Sequence, residues 1–204
     1  MKEQVLVVPR KTLLPDGPFQ GLSIEDPGKI LGTIESESFF MDREKAEEDP
    51  SHKQIIPYVV ITREDQIFMV TRLSTQGEAR LHQKVSIGIG GHINPEDSEG
   101  GKKPWEGGLM RELNEEISIT GTWQPQLVGV LNDDLTPVGS VHFGLVYRVN
   151  VVDGEVEIRE KDKMTGTFFA PEEVASFYNR MESWSQHVFA ALWPKFIPLT
   201  SVTE

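Results

Sequence analysis

The chain has 204 residues, 38% of them apolar, and a formal net charge of −12. This length fits one domain with an extension, or two small domains, and the absence of cysteine excludes disulfides and thiol catalysis. The negative charge argues against a nucleic-acid backbone as a partner, because proteins that bind one need a basic face.

The first 50 residues are predicted to be an N-terminal extension, and residues 51–204 form the main domain. Residues 5–8 are β-branched and apolar and predict a strand. Because this run is too short for a signal peptide or a membrane span, we expect a cytoplasmic protein without membrane attachment. Residues 15–32 are rich in Gly, Pro and Asp and predict a loop. The charged segment 35–48 predicts either a short helix or a solvated segment anchored by its two phenylalanines.

A β-hairpin is predicted next, since residues 55–61 and 67–70 are rich in strand formers and a polar turn separates them. Arg72 follows the second strand. Arg80, His82 and Lys84 lie in the polar segment after it, where cations either bind an anion or solvate a loop. Residues 85–89 then predict a strand that leads into Gly90 and Gly91.

An acidic helix is predicted after this glycine pair. The segment 94–103 is polar and Gly-rich and predicts a loop, and Pro104 suits the first position of a helix. Gly107 and Gly108 are poor helix formers, which indicates that the helix lies close to a neighbouring backbone. Residues three and four apart share a helix face. Glu112 is therefore beside Glu115 and Glu116.

The three carboxylates repel one another unless a cation lies between them, and Mg²⁺ prefers such oxygen ligands. Glutamate pairs are also common on solvated helix faces. Leu113 and Ile117 are four residues apart on another face, where they can be buried against a sheet.

The composite pattern resembles the signature of the Nudix hydrolases, Gly-x5-Glu-x7-Arg-Glu-apolar-x-Glu-Glu-x-Gly-apolar. Gly91 matches the first glycine, and the second half is matched in register by Arg111, Glu112, Leu113, Glu115, Glu116 and Ile119. Two departures stand out. Arg111 follows Gly91 by 20 residues, against 14 in the signature, and Ser118 replaces the later glycine. Counting forward from Gly91 places Asp97 at the first glutamate, and counting back from Arg111 places Lys103 there. The acidic candidates for that position are Glu96, Asp97 and Glu99.

Beyond the signature, residues 127–131 and 141–152 predict strands, and Asp133 and Asp134 are expected to solvate the turn between them. Residues 155–160 carry Glu155, Glu157 and Glu160. A short strand over 167–170 precedes a helix that begins at Pro171. An amphipathic helix is predicted over residues 183–192.

The resemblance implies an α+β fold, the Nudix-type α/β/α sandwich with a central mixed β-sheet. It also implies that Mg²⁺ or Mn²⁺ is held by Glu112, Glu115 and Glu116. The predicted catalytic residues are these three together with Arg111, which orients the carboxylates, and Glu160. The general base is either Glu112 or a carboxylate of the 155–160 segment, where Glu160 is preferred. The predicted substrate-binding residues are Arg72, Lys84, Gly90 and Gly91.

The function that the resemblance implies is metal-dependent hydrolysis of a diphosphate bond in a nucleoside diphosphate linked to another moiety. The partner is then a small-molecule diphosphate, and neither nucleic acid nor membrane is expected. One alternative is a non-catalytic Nudix-fold module that binds or senses a nucleotide. An isopentenyl diphosphate isomerase is disfavoured, because that family uses a cysteine. A third alternative is an assembly protein that acts through residues 1–50, which pack either on the core or on a partner subunit in a homodimer.

Overall fold

The computed structural model describes residues 2–73 and 84–198. Its strands are β1 (Gln4–Pro9), β2 (Gly21–Ser23), β3 (Phe39–Asp42), β4 (His52–Arg63), β5 (Gln66–Arg72), β6 (Val85–Ser86), β7 (Gly88–Gly90), β8 (Ile117–Ile119), β9 (Pro125–Asn132), β10 (His142–Asn150), β11 (Val156–Ile158) and β12 (Met164–Phe169). Its helices are α1 (Arg10–Leu13), α2 (Pro27–Glu37), α3 (Arg43–Ala46), α4 (Pro104–Glu116), α5 (Pro137–Val141), α6 (Pro171–Ser176) and α7 (Ser183–Leu192), with 3₁₀ segments at Pro95–Gly101, Tyr178–Arg180 and Pro194–Phe196. The expected α+β class and central sheet are confirmed. Among the described residues, none of the helices has the length and apolar character needed to cross a membrane.

The described residues divide into two compact units. The first comprises residues 2–58, 90–112 and 127–147, and the second comprises residues 59–73, 84–89, 113–126 and 148–198. The division falls inside five elements, each of which contributes residues to both units: β4, β7, β9, β10 and α4.

In the first unit, the strand order is β2, β9, β10, β4. The predicted N-terminal strand is confirmed as β1, which pairs antiparallel with β4 on one side and with β3 on the other. Val5 and Val7 are fully buried together with Ala46 of α3. The segment before residue 50 therefore extends the sheet of this unit through backbone hydrogen bonds, while the domain boundary itself stays a prediction.

The loop predicted over residues 15–32 is wrong in its second half, because α2 begins at Pro27. Asp26 caps this helix by accepting a hydrogen bond from the Lys29 backbone N–H, and proline suits the first helical position. Ile34 of α2 is fully buried. The sequence contains the capping aspartate and the proline that mark the start of a helix. The helix was nevertheless missed, because the segment has few apolar residues at helical spacing and many residues that favour turns.

The carboxylates expected to solvate the turn at 133–134 instead belong to a buried polar cluster of the first unit. Lys53 is completely buried, and its Nζ lies 2.7 Å from Oδ1 of Asp134 and 2.8 Å from the Gly139 carbonyl oxygen. Arg10 contacts the other oxygen of Asp134 at 2.5 Å. Asp133 is 1% exposed and accepts a hydrogen bond from the Gln20 amide at 2.7 Å. The expectation was wrong, because Asp133 is buried, and Asp134, whose side chain is 20% exposed, forms ion pairs with Lys53 and Arg10.

In the second unit, β5 lies between β4 and β12. The predicted hairpin is confirmed, with Thr62 opposite Ile67 and a turn at Glu64, whose φ is +50°. The helix predicted over residues 183–192 is α7, and it buries Val188 and Phe189. Strands β8 and β11 form a separate antiparallel pair, in which Ile117 lies opposite Ile158.

Candidate active site

Arg111 of α4 forms a bidentate ion pair in the first unit. Its Nε lies 2.9 Å from Oδ1 of Asp97, and a terminal nitrogen lies 3.0 Å from Oδ2. The Asp97 side chain is only 4% exposed. Hydrogen bonds to this carboxylate raise the pKa of the Arg111 guanidinium above its ordinary value. Two parallel hydrogen bonds to one carboxylate fix the orientation of the arginine as well as its charge.

The terminal nitrogens of Arg111 also contact Glu112 and the preceding loop. One of them, Nη1, lies 2.7 Å from Oε1 of Glu112. The other, Nη2, which also contacts Asp97, lies 2.7 Å from the His92 carbonyl oxygen and 3.0 Å from Oδ1 of Asn94. This geometry agrees with the orienting role predicted for Arg111. Asn94 was not among the candidates, although an Asn-Pro step before a helical turn is typical of a cap.

Asp97 occupies the acidic position for which Glu96, Asp97 and Glu99 were candidates. It lies in the first turn of the Pro95–Gly101 segment, and its backbone N–H donates to the Asn94 carbonyl oxygen at 3.1 Å. The Asn94 backbone N–H donates to Oδ2 of Asp97 at 2.8 Å. The predicted loop at 94–103 therefore contains an ordered 3₁₀ turn that presents this carboxylate to Arg111.

The close approach to a neighbouring backbone, predicted at Gly107 and Gly108, is confirmed at Gly107. A Cβ on Gly107 would lie 1.9 Å from the carbonyl oxygen of Asp97, whereas the nearest atom to one on Gly108 would be a side-chain atom, Cγ1 of Ile93 at 3.0 Å. Aspartate is one methylene shorter than glutamate, so its backbone must lie closer to α4 to reach the arginine. The two glycines leave the space for that approach.

Replacing Asp97 with asparagine is expected to lower the free energy of unfolding by about 1–3 kcal/mol, because it removes the more buried of the two carboxylates that pair with the Arg111 guanidinium. Urea denaturation measures the change. The matched control is Glu96→Gln, which removes an exposed carboxylate one residue away and should change stability by less than about 0.5 kcal/mol. Equal losses in the two variants would contradict a specific role for Asp97.

Gly91 leaves room for the Glu112 carboxylate. A Cβ on Gly91 would lie 2.2 Å from Cδ of Glu112 and 2.3–2.4 Å from its two oxygens. A Cβ on Gly90 would lie 2.3 Å from the carbonyl oxygen of Pro57. Both glycines are thus required by close contacts within the first unit, and their predicted contact with substrate stays a prediction.

The buried face predicted for α4 is confirmed at Leu113, which is 2% exposed. Ile117 is 1% exposed as well, but its predicted place on this helix is wrong, because α4 ends at Glu116 and Ile117 begins β8. The Glu112 side chain is 16% exposed, whereas Glu115 is exposed and Glu116 is partly exposed. Glu112 belongs to the first unit and the other two glutamates to the second. Their predicted joint action therefore rests on helical spacing along α4.

A cleft in the second unit brings together three of the predicted site residues. Arg72, Lys84 and Glu116 line it, together with Glu182. The Arg72 Nε lies 3.8 Å from Oε1 of Glu182. Two cationic side chains thus lie beside a carboxylate of α4, in an arrangement that suits an anion accompanied by a cation. Arg80 and His82 lie outside the described residues.

Glu160 follows β11 in the second unit and is not among the residues that line this cleft. Its carboxylate lies 2.5 Å from Nζ of Lys163. Glu157 lies 3.4 Å from Nζ of Lys161 and is largely exposed. The role of Glu160 as a base stays a prediction, and the ion pair with Lys163 gives it a competing structural role.

Ser118 lies in the middle of β8, where it pairs with Glu157 of β11. Its φ is not positive. A strand conformation is open to any L-residue, so the glycine of the signature is not needed here for its backbone freedom.

Comparison with known proteins gives a consistent family assignment. The NUDIX domain model matches residues 52–192. Protein YmaB of Bacillus subtilis (strain 168) is 40% identical over 198 residues, which cover 92% of this chain and 96% of YmaB. The crystal structure of Tm1382 superposes with a TM-score of 0.81 at 31% identity over 95% of this chain and 100% of Tm1382.

A NUDIX hydrolase from Nitrosomonas europaea shares the fold at lower similarity, with a TM-score of 0.51, 17% identity and coverage of 74% of this chain and 97% of that protein. The domain match, the whole-length likeness to YmaB and Tm1382, and the Arg111 cluster all agree. The chain belongs to the Nudix family.

Proposed function

We propose that the chain is a divalent-metal-dependent hydrolase that cleaves the diphosphate bond of a nucleoside diphosphate linked to another moiety. Family membership supports the coarser statement that it is a hydrolase. The observation that carries the finer proposal is the fixed carboxylate of Glu112, bound by Arg111, which is itself bound by the buried Asp97. A glutamate that merely solvates a helix face would not need a fixed arginine to orient it.

The residues of α4 fit a hard divalent cation. All the proposed donors are carboxylate oxygens, which Mg²⁺ and Mn²⁺ prefer. Gly91 lies against the carboxylate oxygens of Glu112, and because it has no side chain it leaves them unobstructed. Glu112, Glu115 and Glu116 would hold the ion. When bound, such an ion neutralises phosphate charge and lowers the pKa of a water molecule.

The protein groups then have distinct roles. Arg111 holds Glu112 in one rotamer, so that little orientational freedom is lost when the reacting groups assemble. Arg72 and Lys84 would donate to phosphate oxygens from the cleft that Glu116 also lines. The proton of the attacking water would pass to Glu112 or to a carboxylate of the 155–160 segment, with Glu160 preferred.

A screen of nucleoside diphosphate derivatives with and without Mg²⁺ tests the proposal. We expect metal-dependent release of a nucleoside monophosphate or of phosphate from at least one class, and no release after chelation. Tight nucleotide binding without turnover in any metal would instead favour the non-catalytic binding or sensor module. The homodimer also stays a prediction, which the mass of the full chain in solution over a range of protein concentrations would test.

Gly91→Ala is expected to lower kcat/KM by about 10–100-fold, because an added methyl displaces the Glu112 carboxylate that Arg111 holds in place. Steady-state kinetics measure the loss, and circular dichroism checks the fold. Gly32→Ala is the matched control, since a Cβ there meets no atom within 4 Å, and it should leave kcat/KM unchanged. Unaltered activity of Gly91→Ala would contradict the placement of Glu112 in the site.

A further inference from the structure

A second group of potential metal ligands lies in the first unit, apart from the carboxylates of α4. Ligand atoms of Glu47, His92 and His142 all lie within 4.8 Å of one another. The Nε2 atoms of the two histidines are 3.2 Å apart, and His92 Nε2 lies 3.8 Å from Oε1 of Glu47. The sequence gives no sign of this cluster, because its members are 45 and 50 residues apart.

The tautomer of His142 is set by its surroundings. Its Nδ1 lies 2.7 Å from the carbonyl oxygen of Val138. A carbonyl can only accept, so Nδ1 carries the proton and Nε2 presents a lone pair to His92. This hydrogen bond from the far ring nitrogen to a backbone carbonyl is the usual support of a metal-binding histidine. The space between the two Nε2 atoms must then hold either a proton on His92 or a cation.

The spacing of the three side chains suits a shared ion. With metal–ligand distances of about 2.0–2.1 Å, two ligand atoms of a tetrahedral site lie roughly 3.3–3.4 Å apart. The observed 3.2 Å between the histidines is close to this value, and the 3.8 Å to Glu47 needs only a small movement of an exposed side chain. Glu47 also lines an open cleft of the first unit, so this ligand is accessible from solvent.

Burial favours the neutral imidazole that a metal ion requires as its ligand. It is the largest cause that lowers the pKa of His92, to about 4, and it also lowers the pKa of His142. The nearby Arg43 acts in the same direction. Its Nε lies 3.5 Å from Oε1 of Glu47, so this guanidinium competes with an ion for the carboxylate.

We propose that Glu47, His92 and His142 bind one borderline divalent transition-metal ion, with Zn²⁺ as its representative. Two imidazole nitrogens and one carboxylate suit such an ion, whereas Mg²⁺ prefers oxygen ligands alone. The inference is independent of the proposed hydrolase activity. An ion here would restrain His92, whose carbonyl accepts a hydrogen bond from Arg111, and so would stiffen the loop that carries Gly91.

Tag-free full-length protein, stripped of metal by chelation, provides the test. We expect equilibrium dialysis in excess Mg²⁺ to give one Zn²⁺ per chain, and Co²⁺ to give the visible absorption of a nitrogen-ligated ion. Glu47→Gln and His142→Gln should each weaken Zn²⁺ binding by about tenfold or more, since each removes one ligand. His187→Gln, which changes a histidine outside the cluster, should bind Zn²⁺ like the unaltered chain.

Circular dichroism checks that each variant is folded. Because Glu47 is exposed, Glu47→Gln should fold normally, so a loss of Zn²⁺ binding in this variant reports the loss of a ligand. Glu115→Gln should leave Zn²⁺ binding unchanged, which separates the cluster from the acidic face of α4. The site is overturned by the absence of stoichiometric Zn²⁺ in the unaltered chain. It is equally overturned by unchanged affinity in Glu47→Gln and His142→Gln.

Discussion

Glu115→Gln and Glu116→Gln are each expected to abolish diphosphate turnover, a fall in kcat of at least about 10²–10³-fold. Glutamine keeps the size of the side chain but removes the charge that a hard cation needs. The fold should be retained, because Glu115 is exposed and Glu116 is partly exposed. Single-turnover rates at saturating Mg²⁺ measure the loss in the chemical step.

The same variants should be slightly more stable than the unaltered chain when no metal is present. Both glutamates lie in the last turn of α4, which has no basic residue, and the negative end of a helix dipole disfavours carboxylates there by about 0.3–1 kcal/mol. Thermal unfolding in chelator measures this gain. The matched control for activity is Glu172→Gln, which removes an exposed glutamate at the start of α6. Full activity of both α4 variants would place the metal site elsewhere.

Lys53→Met is expected to cost about 2–4 kcal/mol of unfolding free energy, a little below the usual range for breaking a buried ion pair. The Lys53 ammonium is completely buried and donates to Asp134 at 2.7 Å and to the Gly139 carbonyl oxygen at 2.8 Å. Methionine removes both of these hydrogen bonds. The cost is moderated because Asp134 keeps its contact with Arg10. Urea denaturation with a shared m-value measures it.

The exposed Lys102 offers the matched control, and Lys102→Met should change stability by less than about 0.5 kcal/mol. The double variant Lys53→Met with Asp134→Asn should recover part of the loss, because it removes the uncompensated charge. Strictly additive losses in the two single variants would show that the Lys53–Asp134 contact is not energetically coupled.

The sequence predicted the parts of the fold that local chemistry decides. Pro104 begins α4, and the glycine pair at 107–108 lies against the 3₁₀ turn. Leu113 and Ile117 are both buried as predicted, but the helical spacing that predicted this holds only for Leu113, because Ile117 begins β8. Each of these features depends on neighbours that are close in the chain or on backbone sterics, so a single sequence carries the signal.

The errors concern groups whose partners are distant in the chain. Asp134 was expected to be a solvated turn residue, yet its partners Lys53 and Arg10 are 81 and 124 residues away. Spacing within one segment cannot reveal such a pair. The same limit applies to Asp97, for which the insertion before α4 left three candidates. Only the geometry of the 3₁₀ turn places it at Arg111.

The central claim is that the acidic face of α4 binds the divalent ions on which hydrolysis depends. Anomalous scattering from crystals soaked in Mn²⁺ tests it most directly, because Mn²⁺ takes the same oxygen ligands as Mg²⁺. The account predicts anomalous density within about 2.0–2.4 Å of carboxylate oxygens of Glu112, Glu115 and Glu116. Density confined to other residues, with none at these three side chains, would contradict it.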